Sequence, residues 1–329
     1  MCIRDSMESL KEVLREFGIP TENVQFEPVS QGLINMTYFV CFGGSKKFVL
    51  QKINENVFPN SIALFNNLEK TLPHFTSPDY QRVEYHKASN GKIFFRSNDH
   101  DLWRLMTYIP GSVSFHNTSD IDIALQAGRI LGLFHEQLSS LDPGELRTTL
   151  EKFHNLPWRM KQYQQALVGS NPKDRNRTTD LQELIDDFGH ELEKLDQMNL
   201  PIRVCHNDTK LNNMLFSQDG KGLCLIDLDT LMPGFMFYDF GDAIRTLANP
   251  AAEEETDLDK IDFSMEMFNR FVDGMAESQI LLTQEEIVSL PWGPVYMPFL
   301  HGLRAFTEFL LGNVYYKVKY PDQNLDRAR

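Results

Sequence analysis

The apolar positions change period along the chain, and the change divides it into two parts. Leu10, Val13, Leu14 and Phe17 recur at helical spacing after Met7, whereas from Val24 to Tyr108 the pattern shortens to strands. Gln25 to Val29 leads into a polar turn, Ser30-Gln31-Gly32-Leu33-Ile34-Asn35, and Met36 to Phe42 resumes as a strand. Gly43-Gly44 predicts a hairpin into Lys46 to Ile53, because paired glycines supply the positive φ that a tight hairpin needs. Ile62 to Leu72 interrupts as a helix. Asn90-Gly91 predicts a second hairpin between Val83-Glu84-Tyr85 and Ile93-Phe94-Phe95, and Leu102 to Tyr108 forms a further strand ending at Pro110-Gly111.

Beyond Gly111 the period becomes helical, with Ile121, Leu125, Ile130, Leu131 and Phe134 on one stripe and Leu181, Leu184, Ile185, Phe188 and Leu192 on another. Three short apolar runs interrupt it, Ile202 to Cys205, Met214 to Phe216 and Leu223 to Ile226, with Asp219-Gly220 as a hairpin turn. Helices resume around Ala243, Phe263 and Leu303. The expected class is α+β: a small β-rich lobe over residues 7–109 and a larger, mainly helical lobe over 110–329, hinged near Pro110-Gly111.

A length of 329 residues leaves room for two such units and a cleft between them. The formal charge of −14, from 32 basic and 46 acidic residues, repels a phosphate backbone and argues against nucleic acid as a partner. Cys2, Cys41, Cys205 and Cys224 are far apart and form no C-x-x-C pair, which fits a reducing, cytoplasmic setting. Ser289 to Leu303 is uncharged but short, and Pro291, Pro294 and Pro298 break it, so no membrane span is expected. Met1 to Ser6 lacks an apolar region and is set aside as a non-native leader; the charged ending Asp326-Arg327-Ala328-Arg329 leaves room for a missing terminal helix.

The candidate chemistry lies among the short runs. His206-Asn207-Asp208-Thr209-Lys210-Leu211-Asn212-Asn213 has the H-x-D-x-x-x-x-N spacing of kinase catalytic loops. Phosphoryl transfer needs a carboxylate to take the acceptor's proton and a neutral oxygen to hold Mg²⁺, roles that suit Asp208 and Asn213; a polar loop with Asp208 as a turn residue is the other reading. The run Leu223-Cys224-Leu225-Ile226 then delivers Asp227, a carboxylate at a strand end for which a cation is the natural partner. Asp229 follows two residues later and reads either as a helper of metal or substrate, or as a solvated carboxylate or cap. Asp239-Phe240-Gly241 looks like a second metal motif, but it opens a helix, so Asp239, like His206, is expected to brace the catalytic loop.

These residues resemble the aminoglycoside phosphotransferase and choline kinase-like superfamily. Three runs, His206 to Asn213, Ile226-Asp227-Leu228-Asp229-Thr230-Leu231-Met232-Pro233-Gly234 and Tyr238-Asp239-Phe240-Gly241-Asp242, most resemble the N-acetylhexosamine 1-kinases within it. The similarity runs from about Met7 to Arg329 and includes Gly32 to Asn35, Phe48 to Asn54 and Lys319-Tyr320-Pro321. It implies a bilobal protein kinase-like fold and transfer of phosphate from ATP to the anomeric hydroxyl of N-acetylglucosamine or N-acetylgalactosamine. It also implies Asp208 as base, Mg²⁺ on Asn213 and Asp227, and sugar contacts from Asp208, Asp227, Arg304, Tyr315 and Ile34. Arg304 reads equally as a surface ion-pair partner, and Tyr315 as core packing.

Two departures stand out. Alternation gives Gln51 the inward place on the third strand, where most kinases carry a lysine, with Lys52 beside it; these two are the phosphate-side candidates, with Asn35 in the early turn. That turn also lacks a G-x-G-x-x-G pattern. Met106 to Tyr108 are expected to offer backbone hydrogen bonds to adenine, and Trp103 to pack in the core. Kinases of choline, homoserine or an aminoglycoside are the alternatives, followed by a nucleotide-binding pseudokinase.

Overall fold

The computed structural model describes residues 6–29, 34–251, 255–314 and 318–329. The first part comprises α1 (Met7–Glu16), β1 (Val24–Val29), β2 (Met36–Phe42), β3 (Ser45–Lys52), α2 (Ser61–Thr71), β4 (Phe95–Arg96) and β5 (Leu102–Thr107). The strands form one antiparallel sheet in the order β1-β2-β3-β5-β4. Gly43 and Gly44 both have positive φ, 56° and 76°, and close the tight β2–β3 turn. Ser6, set aside with the leader, caps α1: its Oγ accepts from Ser9 N–H at 3.1 Å.

The two faces of this sheet have different tasks. Tyr38, Val40, Leu50, Trp103 and Leu105 pack with Leu10, Val13, Leu14 and Phe17 of α1 into a satellite core. On the other face, Thr37, Gln51 and Arg104 lie opposite one another in the ladder, as do Phe39, Val49 and Met106.

The hairpin expected around Asn90-Gly91 does not form. Its turn is present, with Gly91 at φ 76° and Gly91 N–H bonded to Ala88 C=O, but the arms do not pair with each other. Both align along the free edge of β5: Phe95 pairs with Trp103, and Tyr85 makes an isolated bridge to Met106. An already ordered edge satisfies both arms at once, which a two-stranded ribbon in water does not.

The second part comprises α3 (Ile121–Leu138), α4 (Leu156–Gly169), α5 (Pro172–Asn176), α6 (Thr179–Glu193), β6 (Arg203–Cys205), β7 (Met214–Phe216), β8 (Gly222–Leu225), β9 (Met232–Gly234), α7 (Met236–Leu247), α8 (Met265–Ala276), α9 (Gln284–Ser289), α10 (Gly293–Leu310) and α11 (Gln323–Ala328). β6 pairs with β9 and β7 with β8. In α6 the expected stripe is partial, since Leu181, Ile185 and Leu192 are buried while Leu184 and Phe188 are exposed. No helix among the described residues is long and apolar enough to cross a membrane.

The cores do not follow the expected boundary at residue 109. Phe58, Phe65, Phe75, Tyr80 and Phe94 belong to the same core as Phe134 of α3 and Phe240 of α7. Asn67 of α2 donates to the carbonyls of Arg147 and Leu231, and Tyr80 Oη accepts from Leu225 N–H at 3.0 Å. The segment from α2 through Phe94 thus packs on the helical part. α7 and α10 meet at Gly241 and Gly293, where a Cβ on Gly241 would lie 2.3 Å from Gly293 O. Only glycine permits that approach, and it sets the residues of α10 beside those of α7.

Candidate active site

The catalytic loop leaves β6 at Cys205 and is held almost entirely by side chains. Asp239, in the first turn of α7, accepts from the backbone N–H groups of His206 (2.8 Å) and Asn207 (2.6 Å), and His135 Nε2 of α3 lies 3.0 Å from the same carboxylate. Burial works against ionisation of Asp239, but bonds from His135 and the proximity of His206 hold its carboxyl below the usual range. Asp239 C=O accepts from Thr209 Oγ1. Asn207 takes φ 62°, which asparagine tolerates well, and its Nδ2 donates to the carbonyls of Cys205, Thr230 and Met232. The buried His206 ring donates from Nε2 to Ile226 C=O (2.9 Å) and accepts Asp208 N–H at Nδ1 (3.2 Å), so its two partners define the tautomer.

Asp208 therefore emerges on a braced turn. Its Oδ2 accepts from Lys210 Nζ (2.8 Å) and Asn213 Nδ2 (2.9 Å). Desolvation pushes its carboxyl upward, yet Lys210 first, then His206 and Arg245, hold it below the ordinary value, so it is ionised at neutral pH. Asn213 Nδ2 also donates to Asp208 C=O, leaving Asn213 Oδ1 as the acceptor end of the amide. Asn213 C=O accepts Ile226 N–H at 2.8 Å, which ties the loop to the end of β8, one residue before Asp227.

Asp227 is exposed and sits at φ 61°, a left-handed conformation uncommon for aspartate. Desolvation, then the neighbouring Asp229 and Asp208, raise its carboxyl to about 6. A carboxylate beside an amide oxygen is the donor chemistry a hard divalent cation prefers, so Asn213 and Asp227 fit such an ion.

Asp229 is buried rather than solvated, and both of its oxygens are engaged. Its Oδ1 is paired with Arg104 of β5 and its Oδ2 accepts from Asn35 Nδ2 at 2.6 Å. Asn35 Oδ1 in turn accepts Asn54 N–H, so the early turn is anchored to both parts of the chain. Gln51 faces this network, accepting from Arg104 Nε at 2.8 Å. Lys52 does not: alternation turns it to the opposite face, where it pairs with Asp101 and lies over the Trp103 ring. Trp103 is packed in the core.

At Met106 to Tyr108 part of the backbone is already engaged. Tyr108 N–H donates to Lys47 C=O and Thr107 N–H to Glu84 C=O, so these two donors are committed to the sheet. What the segment presents instead is an apolar wall, with Phe39, Val49 and Met106 in register and the Tyr108 ring 5.6 Å from that of Phe39. Ile34 is 43% exposed, its carbonyl accepting from Asn54 Nδ2.

On the other side of Asp208 stand residues of α7 and α10. Asp242 Oδ1 accepts from Arg245 Nε (3.0 Å) and Nη2 (2.9 Å), and His301 Nε2 lies 3.6 Å from the same oxygen. Burial, then the nearby Arg245 and Arg304, drive the His301 ring well below its usual pKa. Arg304 sits one helical turn beyond His301, with its guanidinium 5.3 Å from the Phe153 ring. Buried His154 donates from Nε2 to Asn207 C=O and is lowered to about 4, chiefly by burial. Tyr315 and Gly32 lie outside the described residues.

The sequence reading passed over Arg104, Lys210, Asp242 and His301. Lys210 stood inside the catalytic motif, and Arg104 was a charge in an otherwise apolar strand, which is itself a signal of a buried partner. His301 and Asp242 carried no local signal, because only the crossing of α7 and α10 brings them to the loop.

A small antiparallel sheet is set against a larger helical region in the kinase-like fold, with Asp208 and Asn213 on one braced loop and Asp227 just beyond β8. The chain belongs to the phosphotransferase enzyme family, whose model matches residues 25–262. It is similar in fold to a microcompartment-associated aminopropanol kinase, at TM-score 0.67 and 19% identity over 98% of this chain and 94% of that one. An amicoumacin kinase in complex with AMP-PNP, Ca²⁺ and Ami matches at TM-score 0.63 and 15% identity, over 99% and 91%. An ethanolamine kinase of Plasmodium vivax matches at 0.62 and 14%, over 99% and 90%.

Proposed function

We propose that the chain transfers the γ-phosphoryl group of Mg·ATP to the anomeric hydroxyl of an N-acetylhexosamine, N-acetylglucosamine or N-acetylgalactosamine. The observation that supports a neutral acceptor is the group of basic side chains around the base. Lys210 lies on Asp208, Arg245 is close enough to lower the Asp208 carboxyl, and Arg304 lies one turn from His301. A quaternary or primary amine entering that space meets like charge, whereas a polyol meets donors and acceptors.

Asp208 is the base. Its ionised carboxylate accepts the proton of the attacking hydroxyl, and Lys210 and Asn213 hold the side chain in one orientation. Asn213 Oδ1 and Asp227 hold Mg²⁺, which supplies charge neutralisation on the triphosphate. Lys210 places a cation beside the base, where negative charge on the transferred group is stabilised. His206, Asn207 and Asp239 keep the loop from relaxing, and the apolar wall of Phe39, Val49 and Met106 suits the flat face of adenine.

Coupled ADP release tests the reading with N-acetylglucosamine, N-acetylgalactosamine, galactose, choline, homoserine, aminopropanol and kanamycin as acceptors. Turnover restricted to the N-acetylhexosamines is expected. Turnover on choline or aminopropanol with none on the sugars overturns the sugar assignment and leaves the family intact.

A further inference from the structure

On the third strand Gln51 stands where most kinases carry a lysine, Lys52 faces the other way, and Lys46, at the far end of the strand, lies over the Phe39 ring. The sheet instead buries an arginine one strand over. Arg104 lies opposite Gln51 in the β3–β5 ladder and is 1% exposed. A charge persists at that depth only when it is paired and hydrogen-bonded. Arg104 Nε donates to Gln51 Oε1, and Gln51 Nε2 donates to Thr37 Oγ1 at 3.0 Å, which fixes the amide with its oxygen toward the guanidinium. Nη1 donates to Asp229. Among the described residues, Nη2 has no hydrogen-bond acceptor. The guanidinium is thus held on two sides at the seam between the sheet and the loop that carries Asp227, with one nitrogen of its fork unused.

We propose that Arg104 is the residue through which the sheet grips the phosphates of the nucleotide, with Nη2 donating to a phosphate oxygen while Nη1 remains on Asp229. This rests on the kinase reading of the same site. An arginine suits the place because its planar fork serves two oxygen acceptors at once and stays charged when buried. Gln51 is then the matching choice on the third strand: a neutral acceptor supports the guanidinium, whereas a lysine there would repel it. Asp229 is a positioning residue, orienting Arg104 without itself meeting the ligand.

The test compares Asp229→Asn with Asp229→Asn/Arg104→Met, titrated with ADP and with adenosine by calorimetry in the presence of Mg²⁺. The first variant keeps an oxygen for Nη1. The second differs from it only at Arg104 and leaves no buried carboxylate stranded, as Arg104→Met alone would. The double variant is expected to bind ADP at least tenfold more weakly than the single, with adenosine affinity within twofold. Arg104→Lys, which keeps the charge and loses the fork, is expected to weaken ADP binding less than the double variant does and to leave adenosine affinity within twofold. Equal ADP affinity in the two variants overturns the proposal, and so does a parallel loss of adenosine and ADP. If the unaltered protein binds neither ligand, the kinase reading fails first; binding that is indifferent to Arg104 sinks this inference alone.

Discussion

Replacing Asp239 by alanine is expected to damage the fold before it damages the chemistry. The carboxylate is fully buried and receives the N–H groups of His206 and Asn207, with His135 Nε2 at 3.0 Å. Removing it strands two backbone donors and leaves His135 without its carboxylate. An orphaned buried donor costs about 1–3 kcal/mol, so the three together amount to roughly 3–9 kcal/mol, reduced where a water enters the vacated space. A domain of ordinary stability, about 5–15 kcal/mol, loses a large fraction of it. Urea denaturation followed by tryptophan fluorescence reads this as a lower midpoint at unchanged slope. Asp239→Asn, which keeps the shape but turns an amide group toward donors, should lose somewhat less. The opposite pattern refutes the reasoning: a midpoint within error of the unaltered protein, together with lost cation-dependent binding of a nucleotide analogue, would make Asp239 a metal ligand and its Asp-Phe-Gly sequence functional.

Asp227→Asn is expected to abolish turnover while raising ligand-free stability by up to about 1 kcal/mol, a figure kept small because the group is exposed. It removes a charge that Asp229 and Asp208 disfavour, and asparagine accepts φ 61° more readily; a lower melting temperature would contradict this. Lys52→Ala should leave the nucleotide KM within twofold, since its partners are Asp101 and Trp103, and a tenfold rise in steady-state assays would return Lys52 to the site. Gly241→Ala should destabilise by about 2 kcal/mol or more, because the new methyl meets Gly293 backbone rather than a flexible side chain; an unchanged thermal midpoint would show that α7 and α10 separate freely.

Much of the architecture was legible because it is written locally. The Gly43-Gly44 turn, the period of α3 and the strands β2 and β5 each follow from spacing and turn chemistry within a few residues. The motif residues were legible for the same reason, since His206, Asp208 and Asn213 share one loop. What escaped depends on distant elements. The arms around Asn90-Gly91 were diverted by the edge of β5, a competitor that no local pattern announces. Alternation separated Gln51 from Lys52 correctly in principle, but which of them met the site required knowing that α1 covers the other face. The surroundings of Asp229 were not legible because its partner Arg104 lies 125 residues earlier in the chain. The cluster of Asp242, Arg245 and His301 depends on the close crossing of α7 and α10 that two glycines allow.

The position of the new phosphate tests the central claim most directly. Incubation with ATP, Mg²⁺ and N-acetylglucosamine, followed by proton–³¹P correlation NMR of the product, identifies which sugar proton couples to phosphorus. The account predicts a correlation to the anomeric proton. A correlation to any other sugar proton, or no sugar phosphate while an amino alcohol is phosphorylated under the same conditions, would contradict it.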